Sequence, residues 1–128
     1  MHEIVTDRAP QPLGHYAQGI VYEGLVFVSG QLPIDPDTGE AAGSSIESQM
    51  ERALANVQAI LEAAGSSLQR ALKVTIYIAD MGLWARANAV YARQLGVHRP
   101  TRAVVPTLPL HHDYLVEIEA IAAVDADA

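Results

Sequence analysis

The sequence predicts an α+β fold in which two helices pack on one face of a mixed β-sheet. Two stretches of helical periodicity are separated and flanked by strand-like segments, which gives the order β-β-β-α-β-α-β-β. Half of the residues are hydrophobic, enough to build a core in a chain of 128 residues. We therefore treat residues 1–128 as a single domain.

The N-terminal part is predicted to be mainly strand. Residues 2–6 form a short strand, and residues 8–15 form a loop because of their proline and glycine content. Two apolar segments, 16–22 and 25–29, flank Glu23-Gly24, which is typical of a β-hairpin. Proline, glycine and aspartate then mark a long turn-rich segment.

The first helix has the clearest boundaries in the sequence. Ser44 and Glu47 match the capping-box pattern S-x-x-E, and Gly65 is placed to end the helix. Apolar residues at steps of three or four predict one buried face: Ile46, Met50, Ala53, Val57, Ile60 and Ala64.

A strand and a second helix follow. The strand is predicted from alternation, with Leu72, Val74, Ile76 and Ile78 on its buried side. Asp80 is expected to cap the second helix and Gly96 to end it. The apolar positions of this helix are Leu83, Ala87, Val90, Tyr91 and Leu95.

The last two strands are residues 103–105 and 114–122. In the final strand Val116, Ile118 and Ala120 share one face, and the other face carries Leu115, Glu117, Glu119 and Ile121. If the first face meets the helices, apolar residues around two carboxylates on the second suit a subunit interface with a polar cavity.

Composition excludes several classes of protein. The net charge of −7 and the scattered basic residues argue against a nucleic-acid partner. The absence of cysteine rules out disulfides and thiolate metal sites. Neither a signal peptide nor a membrane span of roughly 20 apolar residues is recognisable. These features predict a cytoplasmic protein with no membrane partner.

Arg102 and Glu117 are the leading candidates for chemistry. An arginine fork matches a carboxylate, and a nearby glutamate can orient an attacking water. The alternative is a structural ion pair between the two. Glu119 lies two residues from Glu117, roughly 6.6–6.8 Å along the strand, which is more typical of a solvated face than of a glycosidase pair.

Two further motifs have structural alternatives. His111-His112-Asp113 lacks the spacing of a metal site and is better explained as a turn. Ser29-Gly30 ends a strand, and the glycine either makes a turn or lets the backbone approach a ligand closely.

Taken together, these segments resemble the RidA/YjgF family of reactive-intermediate (enamine/imine) deaminases over nearly the whole length. The segments that carry the resemblance include Gly14-His15-Tyr16-Ala17-Gln18, Ser29-Gly30-Gln31-Leu32-Pro33, Ala53-Leu54-Ala55-Asn56-Val57, Pro100-Thr101-Arg102 and Val116-Glu117-Ile118-Glu119-Ala120-Ile121-Ala122. The resemblance implies a chorismate-mutase-like fold and a homotrimer with clefts between subunits.

The resemblance also implies an activity, which is cofactor-independent and metal-free hydrolysis of 2-aminoacrylate-type enamines and imines to 2-keto acids and ammonia. Arg102 would bind the substrate carboxylate, and Glu117 would orient the water. The predicted lining residues of the cleft are Tyr16, Ser29, Gly30, Gln31, Asn88 and the backbone of Val104.

The chain departs from the usual family pattern at His15, Val104 and Pro106. These departures favour an alternative function, in which a relative of the deaminases binds a 2-keto acid without turnover or acts like a chaperone. A third function, endoribonuclease or translation inhibitor, is disfavoured by the acidic charge.

Overall fold

A six-stranded sheet forms the framework of the computed structural model, which describes residues 1–124. The strands are β1 (His2–Ile4), β2 (Gly19–Tyr22), β3 (Leu25–Gln31), β4 (Ala71–Ile78), β5 (Thr101–Pro106) and β6 (Val116–Ala123). Among the described residues the α-helices are α1 (Ile46–Ala63) and α2 (Trp84–Leu95).

The spatial order of the strands is β1-β2-β3-β6-β4-β5. All neighbours are antiparallel except β4 and β5, so the sheet is mixed, as predicted. Side chains of both helices and of the sheet share one core, in which Val57 of α1, Ile76 of β4 and Ile118 of β6 are almost completely buried. The chorismate-mutase-like α+β fold is confirmed.

The predicted hairpin joins β2 to β3. Glu23 and Gly24 both have positive φ angles, 48° and 78°, as the tight turns of two-residue hairpins require. Further along, the pairing of β3 with β6 shifts register between Val28 and Gln31. The regular hydrogen-bonding ladder between the two strands is therefore interrupted at Ser29-Gly30, which the sequence indicated as a candidate ligand contact.

Helix α1 begins one residue later than the capping box predicted. Ser45, not Ser44, is the N-cap, and its hydroxyl accepts the N–H of Ser48. Glu47 instead forms a two-pronged salt bridge with Arg86 of α2 at 2.7 Å, which lowers the pKa of Glu47 to about 2. The glutamate therefore ties the two helices together instead of closing a cap.

The predicted alternation in β4 is confirmed from Val74 onward and wrong at Leu72. Leu72 is 48% exposed, and Ala71 takes the buried position instead. The pairing with β6 shifts register between Ala71 and Lys73, which changes the face on which the first residues lie. Asp80 caps a short 3₁₀ turn, Met81–Leu83, that leads into α2.

Strand β6 has the two faces that the sequence predicted, except that Leu115 precedes the strand and packs against the core. Val116, Ile118 and Ala120 are buried against the helices, and the alternate residues are only partly buried. Strands β1 and β2 are shorter than predicted, whereas β3 and β5 are longer. In residues 1–124, no helix has the length and apolar character needed to cross a bilayer.

Candidate functional site

Arg102 lies on the helix-facing side of β5 and is held there by α2. Its Nη1 donates to Oδ1 of Asn88 at 2.7 Å. Its guanidinium carbon lies 4.8 Å from the ring centre of Tyr91 and 5.8 Å from that of Trp84. Cation–π contacts and one hydrogen bond therefore fix the orientation of the fork without neutralising its charge.

No ion pair joins Arg102 to Glu117. Strand β4 lies between β5 and β6, so the two residues are not on neighbouring strands. They also face opposite sides of the sheet, because Arg102 meets α2 while Glu117 alternates with the buried Val116 and Ile118. The alternative interpretation, in which Arg102 and Glu117 of one chain form a structural ion pair, is therefore wrong for the described residues 1–124.

Val104 stands two residues after Arg102 on the same side of β5, where its side chain packs against the core. Strand β5 is at the edge of the sheet. Thr107 donates its N–H inward to Ile78, and Pro106 has no N–H to donate. Backbone groups alternate along a parallel strand, so those of Val104 face the open edge. A ligand can thus reach that N–H and C=O.

Glu117 lies on the open face of the sheet and packs against Gly30. A Cβ atom added to Gly30 would lie 2.8 Å from Oε2 of Glu117, so any other residue here would displace this carboxylate from its position. Burial, and secondarily the charge of Glu119, raises the pKa of Glu117. A carboxylate with a raised pKa is suited to taking up and returning a proton.

Glu119 is engaged by a neighbour. The Tyr77 hydroxyl donates to Oε1 of Glu119 at 2.6 Å, and this hydrogen bond raises the pKa of Tyr77. A cavity of about 180 Å³ lies beside it on the open face, lined in part by Phe27, Lys73 and Ile121. Glu119 is therefore partly buried and bonded to Tyr77, rather than on the solvated face that its spacing predicted.

Tyr16 is tied to the strand of Gly30 through Ser29, the residue before Gly30. The Ser29 hydroxyl donates to the carbonyl of Ala17 at 2.6 Å, and its N–H donates to that of Gln18, which fastens the Tyr16 loop to β3. Tyr16 is 49% exposed and free to meet a ligand or another subunit. Gln31, by contrast, is buried, and its amide donates to the carbonyl of Ser29.

The predicted site residues thus form two clusters. The arginine cluster comprises Asn88, Arg102 and Val104. The glutamate cluster comprises Gly30 and Glu117, and Ser29 connects it to the loop of Tyr16. Trp84 and Tyr91 were missed as site residues, although a signal existed. Trp84, Asn88 and Tyr91 stand at i, i+4 and i+7 and so share one helix face.

His111–Asp113 forms a 3₁₀ turn, which confirms the predicted turn. Within residues 1–124, no group of three or more histidine, aspartate or glutamate side chains is arranged to hold a metal ion.

Comparison with known proteins gives a consistent picture. Residues 6–124 match the family model described as Endoribonuclease L-PSP. A RutC family protein of Pyrococcus horikoshii is 46% identical over 95% of this chain and 98% of its own length. Escherichia coli TdcF, named as a candidate reactive intermediate deaminase, is 41% identical over 93% of this chain and 94% of its own.

Solved structures of similar proteins point to the same family as these sequence relatives. The crystal structure of E. coli TdcF with bound serine has a TM-score of 0.93 at 39% identity, covering 98% of this chain and all of that one. A Thermotoga maritima protein described as a candidate endoribonuclease has a TM-score of 0.94 at 44% identity, covering 98% and 99%. The chain belongs to the RidA/YjgF family, some of whose members are named reactive intermediate deaminases.

Proposed function

We propose that this protein is a cofactor-independent deaminase that hydrolyses 2-aminoacrylate and related imines to 2-keto acids and ammonia. The observation that carries the proposal is the environment of the Arg102 guanidinium. It is held by Asn88 and two aromatic rings and has no carboxylate partner among residues 1–124. An oriented, uncompensated fork is suited to a substrate carboxylate. The serine bound to TdcF supports a ligand of amino-acid size.

The proposed reaction needs only positioning and one proton carrier. 2-Aminoacrylate tautomerises to 2-iminopropanoate, whose C2 is electrophilic. Water adds to C2 while Glu117 takes its proton and passes it to the imine nitrogen, which gives a tetrahedral carbinolamine. Glu117 then takes the proton of the carbinolamine hydroxyl and delivers it to the amino nitrogen, so that the C=O bond forms as the C–N bond breaks, and pyruvate and ammonia leave. Arg102 holds the carboxylate throughout.

We further propose that each site is built from two subunits of a homotrimer. Arg102 and Glu117 lie on opposite faces of one sheet, so one chain alone cannot present both to one small substrate. A neighbouring subunit that brings its open face to the β5 edge would complete the site. Apolar residues on that open face that are not fully buried, such as Phe27 and Ile121, suit such an interface.

Mixing two inactive variants tests this composite site. Arg102→Ala and Glu117→Gln are each expected to lose activity. Unfolded and refolded together in equal amounts, they are expected to recover about a quarter of wild-type activity, because one interface in four receives an intact residue from each side. No recovery in properly assembled mixtures would mean that Arg102 and Glu117 serve one site within a single chain or do not act together.

The activity itself is tested by generating 2-aminoacrylate with a PLP-dependent dehydratase and following pyruvate release. Arg102→Ala is expected to slow release by at least about tenfold, the equivalent of one charge-assisted contact. Arg93→Ala, which removes an exposed α2 arginine paired only with Glu51, is the matched control. Equal rates for wild type and Arg102→Ala would refute the assignment.

Binding of a 2-keto acid without turnover is the second candidate function. The departures at His15, Val104 and Pro106 favour it, because they lie in or beside the two clusters. Tight binding of 2-oxobutyrate together with no hydrolysis of any imine would establish it.

RNA cleavage is disfavoured by the net charge of −7. If the protein cleaved RNA and a substitution in the cleft abolished that cleavage, the endoribonuclease function would be supported.

A further inference from the structure

A cavity of about 460 Å³ opens between the C-terminal half of α2 and the start of β5. Arg102 lies on its wall, and Arg99 and His98 line the same space. No carboxylate lines this cavity in the part of the chain that the structure describes. In a protein of net charge −7, such a region of uncompensated positive charge is suited to anionic groups.

The ring of Tyr91 lines the cavity and contacts Arg102. Its hydroxyl has almost no accessible surface and no hydrogen-bond partner within the described residues, so it does not open onto the cavity. Burial raises the pKa of Tyr91, so the phenol next to Arg102 stays neutral and leaves the charge of the guanidinium uncompensated.

The polar groups of the cavity wall are not all free. Nη1 of Arg102 is used by Asn88, and Nε2 of His98 donates to the carbonyl of Ala71 at 2.7 Å. Arg99 is exposed, has no ion-pair partner in residues 1–124, and lies three residues before Arg102. The cavity therefore offers two guanidinium groups, that of Arg102 held by α2 and that of Arg99 exposed to solvent.

We infer that the site takes 2-imino and 2-keto acids that carry a second acidic group. The 2-carboxylate binds Arg102, as in the proposed function on which this inference rests, and the distal carboxylate extends along the cavity to Arg99. The preferred ligands are thus dicarboxylic acids, and Arg99 is the residue that selects them.

The test compares two keto acids of equal chain length, 2-oxoglutarate and 2-oxopentanoate, which differ in the charge at the far end. Trp84 is the single tryptophan and lies beside Arg102, so its fluorescence reports binding. Wild-type protein is expected to bind 2-oxoglutarate about tenfold more tightly, as one additional charge-assisted contact implies. Arg99→Gln is expected to bring this ratio close to one.

Arg93→Gln is the matched control, because Arg93 carries the same charge on α2 but pairs with Glu51 outside the cavity. It should keep the tenfold ratio. A wild-type ratio near one, or a ratio that Arg99→Gln leaves unchanged, overturns the inference. Hydrolysis of 2-aminoacrylate in the same preparation separates this result from the proposed function, since that reaction needs no distal carboxylate.

Discussion

Replacing Gly30 with alanine should damage catalysis much more than folding. The added Cβ would lie 2.8 Å from Oε2, 3.0 Å from Cδ and 3.2 Å from Cγ of Glu117. Ordinary contacts begin near 3.4 Å, so the carboxylate must move by about 0.6 Å. Because misplacement by 1 Å can cost about a hundredfold in rate, we expect kcat/KM to fall by about tenfold or more.

The cost to stability should be small, because the displaced atoms belong to a flexible, partly exposed side chain. An off-rotamer side chain costs about 0.5–1.5 kcal/mol. The assay is pyruvate release from 2-aminoacrylate, with thermal unfolding measured on the same samples. In a Glu117→Ala background, Gly30→Ala should have little further effect on the rate. Wild-type kcat/KM in Gly30→Ala, or an equal loss in the Glu117→Ala background, would refute the link between these residues.

Three other substitutions probe charge and burial. Glu119→Gln removes a negative charge that raises the pKa of Glu117, so the acidic limb of the kcat/KM profile should move to lower pH; an unmoved limb would contradict this. The raised pKa also means that ionised Glu117 destabilises the fold as pH rises through that pKa. Glu117→Gln should therefore raise Tm at pH 8 more than at pH 4 in paired thermal scans. Asn56→Ala removes buried hydrogen bonds to the carbonyls of Leu32 and Ile34 and should cost about 3 kcal/mol in urea unfolding, whereas a loss under about 1 kcal/mol would refute that role.

The sequence predicted the elements better than their details. Period-two and helical patterns identify β6, α1 and α2, because one face of each is buried in the core. Leu72 was assigned to the wrong face because a register shift leaves no trace in local alternation. Ser44 was predicted as the N-cap because Glu47 completes the capping-box pattern with it, but Glu47 pairs with Arg86, a tertiary contact that no local pattern encodes, and Ser45 is the cap.

The candidate site was predicted as a set of residues but not as an arrangement. Arg102 and Glu117 were recognised from their residue types and from family resemblance. Their separation by β4 follows from the sheet order, a long-range property that no local pattern encodes. Tyr91 was assigned only to a helix and Trp84 was not singled out, because their contact with Arg102 depends on how α2 lies over β5.

The position of β4 between the strands of Arg102 and Glu117 has a kinetic consequence. If each site needs two subunits, a dissociated chain carries both residues and yet has no complete site. Specific activity is then expected to fall on dilution, in step with the fraction of assembled protein rather than with total protein. Substrate that stabilises the assembled form would make progress curves at low enzyme concentration begin with a lag.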